Sequence, residues 1–342
     1  MRVFYLVFIC LCTQILWGQT KISFGSCGHQ NHPLPIFDVV VEQNPDVFIF
    51  LGDNIYGDTY DMDELRSKYM RLGEKPTYKN LKRNVEILAT WDDHDFGWND
   101  AGRHYPFKEE AKEIFLDFFE EPIESSRRSR AGIYTSYLKA YEGHIVQFIL
   151  LDTRTFRDDL RRNKGEFKAD RSFFYSLDYT PYEQGDSTLL GDAQWNWLEQ
   201  ELKKKADLRI ICSSTQFGIS YNGYEAWANF PHERQRFLEL LKSTRANGVI
   251  FISGDVHYAE ISKLETEGLY PLYDVTASGL SSTWLFATPN KNRIEGPVME
   301  NHFGMISVDW KSDPEIKMES IDVSGNQRFE YTIQLSELSF QD

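Results

Sequence analysis

Four short segments bring metal-binding or proton-carrying side chains to close spacing. Gly52-Asp53-Asn54-Ile55-Tyr56 sets a carboxylate and a phenol three residues apart, and Trp91-Asp92-Asp93-His94-Asp95 packs three carboxylates and an imidazole into four positions. Gly254-Asp255-Val256-His257 spaces a carboxylate and an imidazole by two, which in an extended segment turns both to one side. Phe24-Gly25-Ser26-Cys27 adds a thiol. Such donors suit cations. Carboxylates crowded at one place repel unless a cation or ready solvation relieves them. A phenol with a pKa near ~10 binds as tyrosinate at neutral pH only to a strong Lewis acid, for which iron(III) qualifies. Each segment alone also has a plain reading: an Asp capping a turn, an exposed acidic turn, a hydrogen-bonded His, a buried Cys.

The elements around these segments decide between the readings. Apolar runs from Lys21 to Gly25, Asp46 to Leu51 and Val85 to Thr90 each end in one of the polar clusters, and helical spacing at Ile36 to Gln43 and Asp63 to Leu72 separates them. This alternation predicts βαβ units whose strands run parallel with right-handed crossovers. Their C-terminal ends then share one edge, where open α/β sheets bind ligands, so Cys27, Asp53 and Asp93 become neighbours. The second half repeats the pattern. Ile145 to Leu151 leads into Asp152-Thr153-Arg154, Leu208 to Ser213 into Ser214-Thr215-Gln216, and Val249 to Ser253 into Gly254-Asp255. Helices are predicted at Ala193 to Ala206 and His232 to Thr244, and alternating strands from Tyr270 to Leu338. The expected fold is an α/β sandwich of two mixed sheets flanked by helices.

Composition sets the outer limits. The chain of 342 residues carries a formal charge of −15, which argues against nucleic acid as a bulk partner. Met1-Arg2, the apolar run Phe4 to Trp17 and Gly18 read as a secretory signal, giving an expected leader 1–18 and one domain over 19–342. The apolar run is short for a membrane span, and Cys10 and Cys12 lack the small preceding residue that lipid attachment favours. Export without a stable membrane anchor, to the periplasm or the extracellular space, is the expectation. Beyond the leader only Cys27 and Cys212 remain, too few for a disulfide framework.

Donor sets that end four separate apolar strands, and are nowhere else so dense, are hard to ascribe to coincidence. Together with Leu151-Asp-Thr-Arg154, the segments resemble the calcineurin-like metallophosphoesterases, most closely the alkaline phosphatase D (PhoD) branch. The resemblance implies an αββα sandwich and a metal-dependent phosphatase or phosphodiesterase acting on phosphate esters. It assigns Cys27, Asp53, Tyr56 and His257 to iron(III), with Asp53 bridging to calcium and Asp93 and Asp255 completing the calcium side. His94 matches the residue beside the leaving group, and Arg154 is a candidate phosphate clamp or a structural ion pair. Asn99 and Asp100 are candidates for a further calcium. The implied reaction is in-line attack on phosphorus by a metal-bridged hydroxide. The strand-rich tail resembles the family's second sheet. The family's extra N-terminal β domain and long C-terminal helix are not expected in this sequence.

Other readings share these residues. A phospholipase D-like or teichoic-polymer diesterase would use the same site with another pocket, and a metal-stabilised binding protein would use the cations for folding only. The basic segments Ser125 to Arg130 and Arg157 to Lys164 are read either as substrate-steering patches or as solvated loops. Tyr221, Tyr224, Trp227 and Trp284 either line a leaving-group pocket or pack under loops.

Overall fold

The protein is seen in a computed structural model that describes residues 18–166, 168 and 177–341. The expected leader, apart from Gly18, lies outside the described residues. Strands β1 (Gln19–Gly25), β2 (Val47–Leu51), β3 (Glu86–Thr90), β4 (Thr135–Tyr141), β5 (His144–Leu150), β6 (Leu208–Cys212) and β7 (Val249–Ser253) are followed by β8 (Ala259–Leu264), β9 (Leu272–Ala277), β10 (Arg293–Val298), β11 (His302–Asp309), β12 (Glu315–Asp322) and β13 (Gln327–Gln334). They form two mixed sheets, one ordered β13-β12-β11-β1-β2-β3 and the other β10-β8-β9-β7-β6-β5-β4. In the first, β1, β2 and β3 are parallel, and in the second, β5, β6, β7 and β9 are.

Side-chain alternation explains the layering. In β2, Val47, Ile49 and Leu51 face the second sheet and join a core with Phe148, Ile210, Phe251 and Val275. Phe48 and Phe50 face the other way, onto Phe37 of the helix Ile36–Glu42 and the helices Met62–Gly73 and Lys108–Phe118. Helices Gly191–Leu202 and Pro231–Thr244 cover the second sheet through Trp195, Leu198, Phe237 and Leu241. The predicted αββα arrangement is therefore observed. The tail differs from expectation: β8, β9 and β10 extend the second sheet, whereas β11, β12 and β13 return to the first, where β11 pairs antiparallel with β1. Alternation identifies a strand but does not name its partner.

The parallel strands of both sheets end at one seam. Thr90 Oγ1 donates to Leu151 O (2.7 Å) across the sheets, Gly28 N donates to Asp53 O (2.9 Å), and Ser26 N donates to Ala277 O (3.2 Å). Gly52 lies at the tightest point of this seam. Its φ is +101°, and a Cβ there would meet Asp92 N at 2.6 Å, so both conformation and space demand glycine. Gly52→Ala is expected to cost about 1–3 kcal/mol or more, read as a lowered urea midpoint, and an unchanged midpoint would contradict this account of the seam.

Candidate metal centre

Cys27 follows β1, Asp53 follows β2, and Asp92 and Asp93 follow β3; Arg154 follows β5, and Asp255 and His257 follow β7. The turns that present them are strained: φ is +58° at Cys27, +48° at Asp53, +74° at Asp255 and +60° at His257. Residues with a Cβ avoid this left-handed region unless their surroundings hold them there, and such strain gathers at functional sites. The strain has a geometric result. One donor atom each from Cys27, Asp53 and His257 lies within 4.8 Å of the others, and so do donors from Asp53, Asp92, Asp93 and Asp255, and from Asp53, Asp93 and His94. Asp53 belongs to all three groups. Tyr56 joins them through its ring, 4.4 Å from that of His94 and 6.4 Å from that of His257.

Several oxygens here are buried without a hydrogen-bonding partner: Asp53 Oδ1, Asp92 Oδ2, Asp93 Oδ1 and Tyr56 Oη. Leaving such groups unpaired is costly, and a cation amid them supplies what the protein withholds. Ionisation points the same way. Burial, then the neighbouring Cys27, pushes the Asp53 carboxyl well above the ordinary carboxylate range. Burial raises the Tyr56 phenol and the Cys27 thiol, and it raises Asp255 with help from Asp92 and Glu225. Asp93 goes the other way: burial is outweighed by the charges of Arg154 and His94, which hold it low. The donor set fits bound cations, and it divides by chemistry. Thiol and imidazole join Asp53 in one group, with the Tyr56 phenol nearby, and carboxylates alone make up the other, so the two halves differ in donor type.

The two histidines are oriented from behind. His257 Nδ1 sits 2.9 Å from Ser282 O, which fixes a proton on Nδ1 and leaves Nε2 as the free donor atom. Its ring stacks on Trp284 at 5.1 Å and 18°. His94 Nδ1 contacts Asp58 Oδ1 at 2.8 Å. Burial lowers the His94 pKa, but the charges of Asp53 and Asp93 and the bond to Asp58 prevail and lift it to about 10.

Arg154 takes the ion-pair alternative. It is fully buried, Nε donates to Asp92 Oδ1 (2.6 Å) and Nη1 to Glu225 Oε2 (2.7 Å), and Nη2 comes no nearer than 3.8 Å to Asp93 Oδ1. Nη2 also pairs with Asp92 Oδ1, so the guanidinium is engaged in structural ion pairs on both sides. Asn99 contributes its backbone, donating N–H to Asp58 Oδ1 (3.1 Å), while the Asp100 carboxylate lies with Asp93 and Glu225 in a further acidic group and accepts from Tyr179 Oη. One arginine of each basic segment turns inward, Arg127 pairing with Glu121 and Arg157 with Glu225, while Arg162 and Lys164 stay exposed. Trp227 is a core residue bonded to Ser213 Oγ, whereas Tyr224 touches Trp284 at 5.2 Å. Cys27 and Cys212 are both free thiols.

Sequence reasoning counted Asp92 in the acidic cluster without giving it a part of its own, and it passed over Asp58, Glu225 and the serines of the 278–282 loop. Asp58 stood beside recognised residues and was within reach. Glu225 lies in a loop without a motif and had no signal.

The PhoD-like phosphatase family matches residues 22–292. Alkaline phosphatase D of Bacillus subtilis (strain 168) is 23% identical over 288 residues, covering 73% of this chain and 48% of that protein. The chain thus spans about half the length of this curated relative. A solved structure of PhoD superposes with a TM-score of 0.76 at 18% identity, over 94% of this chain and 71% of that one. A dimetal phosphatase from Danio rerio gives 0.54 at 13% identity, covering 94% and 99%. These structural likenesses concern the fold.

Removing the Arg154 charge would leave the buried Asp92 carboxylate with Ser214 Oγ but no ion-pair partner and Glu225 with Arg157 alone. Arg154→Met is expected to lower stability by about 3–5 kcal/mol, measured by urea unfolding. A stable variant that only weakened phosphate binding would restore the clamp.

Proposed function

The chain belongs to the PhoD-like phosphatase family, and from that premise we propose that it is an exported, metal-dependent phosphoester hydrolase. The observation that carries the proposal is the set of buried, partnerless oxygens of Asp53, Asp92, Asp93 and Tyr56 at the meeting of both sheets. Cys27, Tyr56, His257 and Asp53 would hold iron(III), a Lewis acid strong enough to bind the phenol as phenolate and the thiol as thiolate. Asp53, Asp93 and Asp255 would hold calcium, with Asp92 beside them. When bound, the two ions lower the pKa of water toward ~7 and neutralise phosphoryl charge.

The chain's own residues do the rest. His94 gives the proton from Nε2 to the departing oxygen, because Asp58 engages Nδ1 and, after the charges of Asp53 and Asp93, favours the protonated imidazole. Arg154 acts through Asp92, whose Oδ1 it and Ser214 Oγ hold so that Oδ2 turns to the centre. Trp284 covers the His257 ring and limits water there. No helix among the described residues is long and apolar enough to cross a membrane, and the apolar run Phe4 to Trp17 supports export.

Hydrolysis of 4-nitrophenyl phosphate or its bis-ester by metal-loaded protein is expected, with loss on chelation. Asp53→Asn should lower the rate by more than ~100-fold at retained fold. Fully metallated protein with no activity on either ester would leave only the binding-protein reading. Iron(III) bound by phenolate and thiolate should give visible absorption that Tyr56→Phe and Cys27→Ser each change, and colourless, active protein would refute the iron assignment.

A general acid works only while protonated, so activity is lost as pH rises through the His94 pKa. Asp58 raises that pKa. Asp58→Asn should therefore move the alkaline limb of kcat to lower pH and reduce its plateau about tenfold; a limb that stayed in place would take the proton-donor role from His94.

A further inference from the structure

Tyr56 comes to the centre by a different route from its neighbours. Cys27, Asp53 and Asp255 stand two residues past a strand end, whereas Tyr56 lies five past the end of β2, in a loop that does not by itself aim it. Its hydroxyl gives no anchor, since Oη is buried without a hydrogen-bonding partner. The grip comes from the chain just after Cys27. Gln30, only 1% exposed, lays its amide along the Tyr56 backbone, Nε2 donating to Tyr56 O (3.2 Å) and Oε1 accepting from Tyr56 N (2.8 Å). The His29 ring stacks on the Tyr56 ring at 4.9 Å and 18°. This segment is braced in turn. His29 N donates to Ser281 Oγ (2.9 Å), His29 Nδ1 accepts from Asn31 N (3.1 Å), and Gly28 N donates to Asp53 O, which ties it to the loops after β2 and β9.

We propose that Gln30 and His29 are positioning residues for Tyr56, and that through its phenol they select the ion held with Cys27, Asp53 and His257. The inference rests on the metal-dependent hydrolase reading above. A buried amide paired with both backbone groups of one residue does what a neighbouring strand does: it fixes the residue while satisfying its donor and its acceptor. With the ring held as well, the phenol oxygen is the one polar group of Tyr56 left unmet, and only a cation strong enough to displace its proton completes it. Cys27, Asp53 and His257 alone, with donor atoms within 4.8 Å of one another, make a thiolate, carboxylate and imidazole set that suits zinc. The placed phenol shifts this half toward iron(III), and residues that never touch the ion decide the outcome.

The test reads the bound iron-to-zinc ratio by elemental analysis, with the visible spectrum, in protein purified from cultures supplied with both ions. Wild type, Gln30→Leu, His29→Ala, His29→Phe, Tyr56→Phe and the double variant Gln30→Leu/Tyr56→Phe are compared, the fold of each checked by urea unfolding. The ratio is expected to fall about tenfold in Gln30→Leu and His29→Ala, with the phenolate absorption, and to stay within about threefold of wild type in His29→Phe, which keeps a stacking ring. In the Tyr56→Phe background Gln30→Leu should change nothing further, because the phenol is already gone. An equal fall in both backgrounds makes Gln30 a general support and overturns the positioning role, as does a ratio unchanged in both Gln30→Leu and His29→Ala. Should Gln30→Leu not fold, the His29 variants decide, and equal falls in His29→Ala and His29→Phe overturn the inference. Wild type holding zinc and no iron refutes the iron assignment and the inference with it. Wild type that holds iron yet hydrolyses neither nitrophenyl ester refutes the hydrolase reading and leaves the selectivity standing.

Discussion

Buried negative charge governs this structure. Asp53, Asp92, Asp93 and Glu225 are each at most 4% exposed and converge from both sheets, an arrangement no protein interior tolerates without compensation. The chain supplies part of it. Arg154 and Arg157, both fully buried, bracket Glu225, and Arg154 also engages Asp92. These pairs account for Glu225 and one oxygen of Asp92. They leave the inward oxygens of Asp53, Asp92 and Asp93 without a hydrogen-bonding partner, and bound cations would complete the charge balance. The same requirement explains why Arg157, which the sequence offered as part of a surface patch, is found inside.

Convergence has a backbone cost as well. Strands that end at a common edge deliver their side chains pointing along the edge, and bringing them onto one point takes sharp turns. Cys27, Asp53, Asp255 and His257 all make that turn in the left-handed region. Nothing local stabilises Cys or His there, so the surrounding sheets must over-determine the conformation. A large, well-filled core between the sheets is therefore a condition for the site as well as for the fold.

Much of this was legible in the sequence, unevenly. The parallel strands showed themselves as apolar runs ending in polar clusters, and β2, β5, β6 and β7 fall within two residues of their predicted limits. Cys27, Asp53, Asp93, His94, Asp255 and His257 were visible because ligands at strand ends share an edge by topology alone. Pairing in the tail was not legible, since strands β9 to β13 carry no label saying which sheet they join. Nor was Asp58 legible as the partner of His94, or Glu225 as the partner of Arg154. Those contacts arise between loops, whose relative placement depends on the finished core.

The loop after β9 shows how far such contacts matter. Ser278 Oγ lies 3.1 Å from Cys27 Sγ and accepts from His257 N (2.9 Å), while Ser281 N and Ser282 N both donate to Cys27 O. Ser282 O then fixes His257 Nδ1, and Trp284 N donates back to His257 O. One short loop thus orients both the thiol and the imidazole, the donors that set one half of the centre apart from its carboxylates. Carboxylates accept a cation from many directions, but a thiol and an imidazole must be aimed. The loop supplies that aim through backbone groups and serines, so the identity of the ion on this side depends on residues that would never bind it themselves.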